Sequence, residues 1–327
     1  MKGRDLLFPV TLLAAALGGP IGAFAGGQDP TPPQTAENKT PSSSEKEFTI
    51  RSDVRLVLLD VSVKDSKGGL VSGLKQDDFT VLEDGKPQKI TQFANQDIPV
   101  TVGVVVDESG SMRPKRAETI TAALTFLTAS NPEDEVFVIN FNDKVYHGLP
   151  DTVLFTDNIN LLRTALMVTP PEGRTALYDA LFASLHQLDM GRKGKKTLVV
   201  VSDGGDNIST HTRKEVQAKV EETLATIYTI GIFDTDDMDR NPDVLKWIAS
   251  VSGGVAYFPE KLEGIVPICK QIAKDIRTRY TIGYIPAEGK AGVLRHIKVV
   301  VGQSGDRGKL SARTRTQYIY NPESADQ

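Results

Sequence analysis

The middle of the chain alternates between apolar runs and amphipathic helical patterns, and this alternation constrains the fold more than any other feature. The apolar runs are Val102–Val106, Val136–Phe141, Thr197–Val201 and Ile227–Ile232. The helical patterns are Glu118–Thr128, Ala176–Leu188, Arg213–Ala225, Asp243–Val251 and Leu262–Ile276. Strands that are apolar on both faces and alternate with helices predict a mostly parallel sheet with helices on both sides. Residues 99–277 are therefore predicted to form a doubly wound α/β domain.

Strand patterns flank this α/β domain on both sides. Residues 49–98 alternate apolar and polar residues through Val57–Val63, and an Asp84-Gly85 turn precedes a strand at Lys89–Phe93. Residues 278–320 contain further strand patterns at Tyr280–Tyr284, His296–Val301 and Leu310–Arg313. Neither piece is large enough to bury a sheet face alone. We expect both ends to pair into one small β-sandwich-like domain, with the α/β domain inserted into it.

The first 25 residues have the pattern of an export signal. Two basic residues precede an apolar run from Leu6 to Leu17, and Ala23-Phe24-Ala25 is a pattern that signal peptidases cleave. Residues 26–48 are rich in Pro, Thr, Ser and Gln and predict a disordered linker, and residues 321–327 predict a disordered tail. We therefore expect a secreted, periplasmic or cell-envelope protein that keeps no membrane span after cleavage.

Composition excludes several classes of site. A formal net charge of -4 gives the chain no electrostatic attraction to nucleic acid. The four histidines lack the spacing of a zinc site, and glycine motifs that bind phosphate are missing. Cys269 is the only cysteine, which excludes an intramolecular disulfide, and its place in an apolar helical stripe predicts a buried side chain.

Oxygen-bearing side chains follow two of the apolar runs and precede one helix. Asp107, Ser109 and Ser111 follow the first run in the sequence Asp-Glu-Ser-Gly-Ser, and Asp203 follows the third run in Ser-Asp-Gly. Thr175 precedes a helix in Gly-Arg-Thr-Ala-Leu-Tyr-Asp, where capping of the helix is the more frequent role of an isolated Thr. Functional loops of a doubly wound sheet lie at the carboxyl ends of its strands, so both aspartates are expected at one edge. Hydroxyls with one or two carboxylates suit Mg²⁺.

Together these motifs resemble the metal-ion-dependent adhesion site of the von Willebrand factor type A family. The resemblance covers about Val100 to Ile276. It implies that the two serines and the threonine are hydroxyl ligands and that the two aspartates bind the ion directly or through water. It also implies that an acidic residue of a protein partner completes the shell. Mg²⁺ is the expected ion, with Mn²⁺ or Ca²⁺ as alternatives.

The sequence before the α/β domain narrows the resemblance further. Val71-Ser72-Gly73-Leu74, Asp77-Asp78-Phe79 and Glu83-Asp84-Gly85 are similar to an exported bacterial, especially acidobacterial, group of von Willebrand factor type A proteins. The implied function is an adhesion-type protein-binding module. The alternative is a structural or assembly protein of the cell envelope whose metal only supports local folding. No evident general base lies near the motifs, so we expect no enzyme and assign no catalytic residue.

Three weaker features carry separate expectations. The acidic run Asp234–Asp239 lacks the glycine that an EF-hand loop needs and predicts a solvated loop. The last helix, Leu262–Ile276, is separated from the strand at Tyr280 by only three residues. The family resemblance implies either a helix that slides when the metal site gains its acidic ligand or a helix locked in one position. A C-terminal set of basic residues indicates charged outer faces of strands or, as the alternative, a surface for an acidic partner: Lys290, Arg295, Lys298, Arg307, Lys309, Arg313 and Arg315.

Overall fold

The computed structural model describes residues 56–233, 240–302 and 308–321. The predicted export signal and linker, the acidic run Asp234–Asp239 and the tail beyond residue 321 lie outside these ranges. Within the described ranges, no helix combines the length and the apolar character that crossing a membrane requires.

Strands and helices fall largely where the sequence predicts them. The strands are β1 (Val57–Lys64), β2 (Phe79–Glu83), β3 (Lys86–Gln88), β4 (Ile90–Ala94), β5 (Val100–Asp107), β6 (Glu135–Phe141), β7 (Val145–His147), β8 (Lys195–Ser202), β9 (Thr226–Gly231), β10 (Ala256–Tyr257), β11 (Tyr280–Tyr284), β12 (Val293–Val301), β13 (Ser311–Arg313) and β14 (Gln317–Tyr320). The α-helices are α1 (Arg116–Ala129), α2 (Ile159–Ala165), α3 (Leu177–Asp189), α4 (Arg213–Thr223), α5 (Pro242–Ser252) and α6 (Ile265–Thr278). Short 3-10 helices occur at Gln76–Asp78, Gly110–Lys115 and Leu262–Gly264.

The central sheet is mostly parallel, as predicted. Its strand order is β10-β9-β8-β5-β6-β7, and only the pairing of β7 with β6 is antiparallel. Every residue of β5 and of β6 is buried, because helices cover both faces of the sheet. After β5 the chain continues to β6 on one side and later returns to β8 on the other. This change of direction creates a crevice at the carboxyl ends of β5 and β8, where ligands of doubly wound sheets bind.

Two antiparallel sheets combine strands from both ends of the chain, which confirms the predicted sandwich-like partner of the α/β domain. Their strand orders are β13-β1-β11-β4 and β14-β12-β2-β3. Apolar side chains of both sheets share one hydrophobic core that is separate from the core of the central sheet. The inserted α/β domain therefore lies between strands that pair with each other, β1 with β11 and β2 with β12.

The segment after the Asp84-Gly85 turn is divided between the two antiparallel sheets, and the predicted strand at Lys89–Phe93 corresponds to β4. The turn at Asp84 and Gly85 has positive φ at both residues, as the Asp-Gly sequence predicts. The partner of β2 across that turn is β3, however, and β4 leaves to pair with β11 in the other sheet. Alternating apolar residues predict a strand but not which sheet it joins, because the partner is chosen by distant packing.

The C-terminal arginines contradict the prediction that they lie on outer strand faces. Arg295 and Arg315 are buried, with 7% and 4% of their surface exposed. Arg295 forms an ion pair with buried Glu83 at 2.8 Å, and Arg315 donates to the carbonyl of Ala225 at 3.3 Å. Burial of a guanidinium is tolerated because acceptors satisfy it. The lysines of that stretch are exposed as predicted, and Arg307 lies outside the described residues.

Buried Asp275 connects α6 to both domains. Its carboxylate accepts hydrogen bonds from Ser62 of β1 at 2.5 Å and from Tyr228 of β9 at 2.6 Å. It also pairs with Arg279 at 3.3 Å and with Arg313 of β13 at 2.8 Å. Arg279 is the only residue between α6 and β11, which makes this connection tighter than the three residues predicted. The end of α6 is therefore fixed to the central sheet and to the antiparallel sheet at one point.

Candidate metal centre

The two aspartates of the motif lie at the ends of neighbouring parallel strands. Asp107 is the last residue of β5, and Asp203 directly follows β8. Each has only 1% of its surface exposed. Ser202 donates a hydrogen bond from its hydroxyl to Oδ2 of Asp107 at 2.6 Å. The structure thus places two carboxylates together at the predicted edge of the sheet.

The two serines lie on the loop that leaves β5 and connect the aspartates. The backbone N–H of Ser109 donates to Oδ1 of Asp107 at 2.9 Å, which turns the chain back over the strand end. The hydroxyls of Ser109 and Ser111 are 3.2 Å apart. The Ser111 hydroxyl donates to Oδ2 of Asp203 at 2.5 Å. Four oxygen-bearing side chains from two strand ends therefore form one connected cluster.

Thr175 reaches the same edge from the loop before α3. Its N–H donates to Oδ1 of Asn207 at 3.0 Å, and its carbonyl accepts from the N–H of Asn207 at 3.0 Å. Thr175 is not the cap of α3, because that position is held by Ala176. Instead, Asp206 accepts from the N–H of Tyr178 at 3.2 Å, in the first turn of the helix. The capping alternative is therefore wrong, and the Thr175 hydroxyl is not needed at the helix end.

Two glycines with positive φ shape the loops around the cluster. Gly173 has φ +79°, and a Cβ there would lie 2.4 Å from Oδ2 of Asp143. Gly204 has φ +81°, and a Cβ there would lie 2.3 Å from the carbonyl oxygen of Asn241. At Gly204 the crowding atom belongs to the backbone, so the left-handed turn has no room for a side chain and only glycine fits. At Gly173 the crowding atom is the tip of a movable side chain, and the left-handed backbone alone favours glycine. These turns set the direction in which Thr175 and Asp203 leave their loops.

The electrostatics of the cluster favour a bound cation. Burial and, to a smaller extent, the negative charge of Asp203 together raise the pKa of Asp107 to about 7. Within the described part of the chain, neither aspartate forms an ion pair with a basic side chain. Two buried carboxylates that repel each other are destabilising unless a positive charge offsets them. The carboxylates of Asp107 and Asp203, together with the neighbouring hydroxyls, match the preference of Mg²⁺ for oxygen ligands.

The composition of the cluster sets it apart from sites made mostly of charged or sulfur ligands. Among the described residues, no group of three or more His, Cys, Asp or Glu side chains is arranged to hold a metal ion. The predicted set has two carboxylates and the hydroxyls of Ser109, Ser111 and Thr175, of which Ser109 and Ser111 are in contact with each other. Such an all-oxygen set suits a hard cation and disfavours metals that prefer thiolate or imidazole ligands.

Comparison with known proteins confirms the predicted family of the α/β domain. Residues 102–205 match the family model described as von Willebrand factor type A domain. The chain contains a von Willebrand factor type A domain. A search of curated proteins finds no significant match.

Several solved structures resemble the chain at low identity. One is a von Willebrand factor type A protein from Catenulispora acidiphila, with a TM-score of 0.48, 12% identity, and coverage of 84% of this chain and 76% of that one. Another is BatB from Bacteroides thetaiotaomicron, with a TM-score of 0.41, 16% identity, and coverage of 54% and 98%. A third is proximal thread matrix protein 1 from the mussel byssus "with zinc occupied MIDAS motif", with a TM-score of 0.43, 14% identity, and coverage of 55% and 48%. Identities this low carry no information about function.

Three residues of the von Willebrand factor type A domain support the cluster although the motif does not identify them. Ser202 contacts Asp107, and its place directly before Asp203 at a strand end was a usable signal. Asn207 holds the backbone of Thr175, but nothing in its sequence context marks it. Glu108, at the variable position of the motif, is buried and forms an ion pair with Arg116 at 3.0 Å. Burial raises the pKa of Glu108 to about 7, although the charge of Arg116 opposes the shift.

Proposed function

We propose that this chain is an exported protein-binding module that engages a carboxylate of its partner through a divalent cation. The proposed ligands are Asp107, Ser109, Ser111, Thr175 and Asp203, and Mg²⁺ is the proposed ion. A cation held by these side chains supplies an electrophilic position that prefers an anionic ligand. The observation that carries the proposal is the pair of buried aspartates without a basic partner, at the ligand-binding edge of a doubly wound sheet.

The accessibility of the loops supports docking of a partner. Asp107 and Asp203 are buried, whereas Ser111 is partly exposed and Gly110 is exposed. Gly173, which accepts a hydrogen bond from Gly110, and Arg174 are exposed as well. The charged side chains therefore lie inside and the hydroxyl-bearing loop lies at the surface, where a partner's carboxylate can approach.

The alternative is a cell-envelope protein whose metal only supports local folding. A structural metal usually joins segments that do not hold together without it. Here the loops are already joined, because Gly110 donates to the carbonyl of Gly173 at 3.1 Å and Thr175 is paired with Asn207. This arrangement favours a binding role over a purely structural one.

The remaining parts of the proposal concern location and chemistry. The N-terminal pattern, which lies outside the described residues, supports export to the periplasm, the envelope or the medium. The side chains that hydrogen-bond to Asp107 are serines, and no His or Lys occurs in the Asp-Glu-Ser-Gly-Ser or Ser-Asp-Gly motif to act as a general base. We therefore expect binding without catalysis.

Mn²⁺ as a paramagnetic probe separates docking from a closed structural site. Water-proton relaxation counts the exchangeable waters at bound Mn²⁺. A docking site is expected to keep at least about one exchangeable water, and saturating acetate should reduce the relaxation enhancement. Ser111→Ala should lower Mn²⁺ affinity, whereas Ser130→Ala, at the end of α1, is the matched control. Bound Mn²⁺ with no exchangeable water would support the structural alternative.

A further inference from the structure

The segment Met167–Gly173 holds two apolar side chains in solvent beside the metal centre. Met167 is 56% exposed and Val168 is 50% exposed. Thr169, the next residue, is 2% exposed, so the segment is anchored directly after them. Exposed apolar side chains on an anchored segment differ from scattered surface residues, because their position relative to the site is fixed.

An ion pair between buried Glu108 and partly exposed Arg116 holds this segment in place. The guanidinium of Arg116 donates to the carbonyls of Met167 at 3.3 Å and Thr169 at 2.8 Å. The same guanidinium pairs with Glu108, which lies between Asp107 and Ser109. Charged side chains are costly to bury unless the pair and its hydrogen bonds satisfy them. The pair therefore links the backbone of the exposed apolar residues directly to the metal-site loop.

Further hydrogen bonds extend this link along the segment. The N–H of Glu172 donates to the carbonyl of Glu108 at 2.9 Å. Gly110 donates to the carbonyl of Gly173 at 3.1 Å, and Nε of Arg113 donates to the carbonyl of Pro171 at 3.1 Å. The consecutive prolines 170 and 171 restrict the backbone in between. The segment is thus a stiff rim along one side of the metal centre.

The charges around the exposed edge suit an acidic partner. Arg113 is exposed, and the side chain of Arg174 is 63% exposed. The guanidinium of Arg174 forms an ion pair with Asp143 at 3.6 Å, and Asp143 also accepts from the N–H of Arg174 at 2.8 Å. Arg113 follows Ser111 by two residues, and its Nε donates to a carbonyl oxygen rather than to a carboxylate. It therefore adds positive charge next to the hydroxyl loop, where a carboxylate would approach.

We propose that the partner is a protein segment in which an acidic residue has an aliphatic or aromatic neighbour. The carboxylate binds at the metal centre, and the apolar neighbour packs on Met167 and Val168. This inference rests on the proposed function, because it names the partner class of the same site. The apolar rim supplies buried contact area, and the metal supplies the requirement for an acidic residue.

Selection from a random peptide library with elution by chelator tests the proposal. The probe is a displayed library of 12-residue peptides, bound to the full chain in Mg²⁺ and eluted with EDTA. Wild type is expected to enrich Asp or Glu together with an aliphatic or aromatic residue at fixed spacing. The variant Met167→Ser/Val168→Ser should still enrich Asp or Glu but without the apolar neighbour. A peptide selected by wild type should lose at least about tenfold in affinity for that variant.

A matched control uses another exposed methionine of the same domain. Met190 is 45% exposed at the end of α3, a helix of 13 residues that begins beside Thr175. It therefore lies about 20 Å from the centre along the helix, and Met190→Ser should change peptide affinity by less than about twofold.

Three outcomes overturn the inference in distinguishable ways. If wild type selects acidic peptides with no enriched apolar residue, the role of Met167 and Val168 in binding is wrong, but the proposed metal-dependent docking is not contradicted. If wild type forms a dimer without Mg²⁺ and Met167→Ser/Val168→Ser is a monomer, the apolar residues bind a second copy of the chain, and the inference is wrong. If no peptide elutes with EDTA and calorimetry detects no Mg²⁺ binding, both the inference and the proposed function are wrong.

Discussion

At the scale of single residues, the proposed metal centre places two negative charges together at a cost to the stability of the metal-free fold. Asp107 is buried beside Asp203, and its raised pKa reports how unfavourable the second negative charge is there. The neighbouring hydrogen bonds from Ser109 and Ser202 reduce this cost but do not remove it. Sites that lower the stability of the unliganded fold in this way are commonly functional. The same reasoning predicts the effect of removing one charge.

The change Asp107→Asn is expected to stabilise the metal-free protein while removing Mg²⁺ binding. Asparagine keeps the size of the side chain and an oxygen to accept from the N–H of Ser109. The loss of a buried charge should raise the free energy of unfolding by about 1–2 kcal/mol without metal. Denaturant unfolding with and without Mg²⁺ measures both effects. Exposed Asp151→Asn is the control, and an Asp107→Asn protein that Mg²⁺ still stabilises would contradict the prediction.

At the scale of elements, the sequence pattern of α6 predicted the buried face of the helix but missed its first residue and its buried Asp275. Its apolar stripe correctly predicted that Cys269 is buried, and burial raises the pKa of that thiol to about 12. The helix begins at Ile265 rather than Leu262, with a 3-10 turn before it. Asp275 was not foreseen as a buried connection, because an acidic residue in an amphipathic helix is normally a solvated one. Its partners come from distant parts of the chain, which a local pattern does not reveal.

Asp275→Ala is expected to destabilise the folded protein by about 3–5 kcal/mol, because it leaves buried Arg279 without its carboxylate. The neighbouring arginines hold the pKa of Asp275 below its usual range, although burial opposes them. This contribution to stability is therefore present above the unfolded pKa of about 3.9 and is lost as the pH falls through the lower folded pKa.

Thermal unfolding at neutral pH measures the loss. Asp243→Ala is the matched control, since Asp243 is an exposed helical aspartate that pairs with Lys246. Equal destabilisation by the two substitutions would show that Asp275 does not connect the domains.

At the scale of the whole molecule, the two ends of the chain were predicted to pair, and they do. Alternation of apolar residues and the small size of each end were sufficient for that prediction, because neither end can bury a sheet face alone. The sheet that each strand joins was not predictable, as β4 demonstrates, and β14 was not predicted at all. The five proposed ligands were all identified from sequence, whereas the supporting Ser202 and Asn207 depend on contacts between loops distant in the chain.

The fixed junction between the domains predicts that the last helix stays in one position. α6 joins β11 through Arg279 alone, and Asp275 holds the junction to β1, β9 and β13. Sliding would break these buried hydrogen bonds together. Hydrogen exchange in Tyr280–Tyr284 should therefore be the same with Mg²⁺ alone and with Mg²⁺ plus a saturating selected peptide. Faster or slower exchange there on peptide binding would instead support the sliding helix.

Calorimetric titration with Mg²⁺ tests the central claim most directly. Wild type is expected to bind about one Mg²⁺, whereas Ser111→Ala should weaken binding at least about tenfold and Asp107→Ala/Ser111→Ala should abolish it. Ser130→Ala removes a hydroxyl that donates to the carbonyl of Phe126 instead, and it should bind as wild type does. Far-UV circular dichroism should be unchanged in all three variants. Equal Mg²⁺ affinity in wild type and in Asp107→Ala/Ser111→Ala would contradict the account, because the ion would then bind elsewhere.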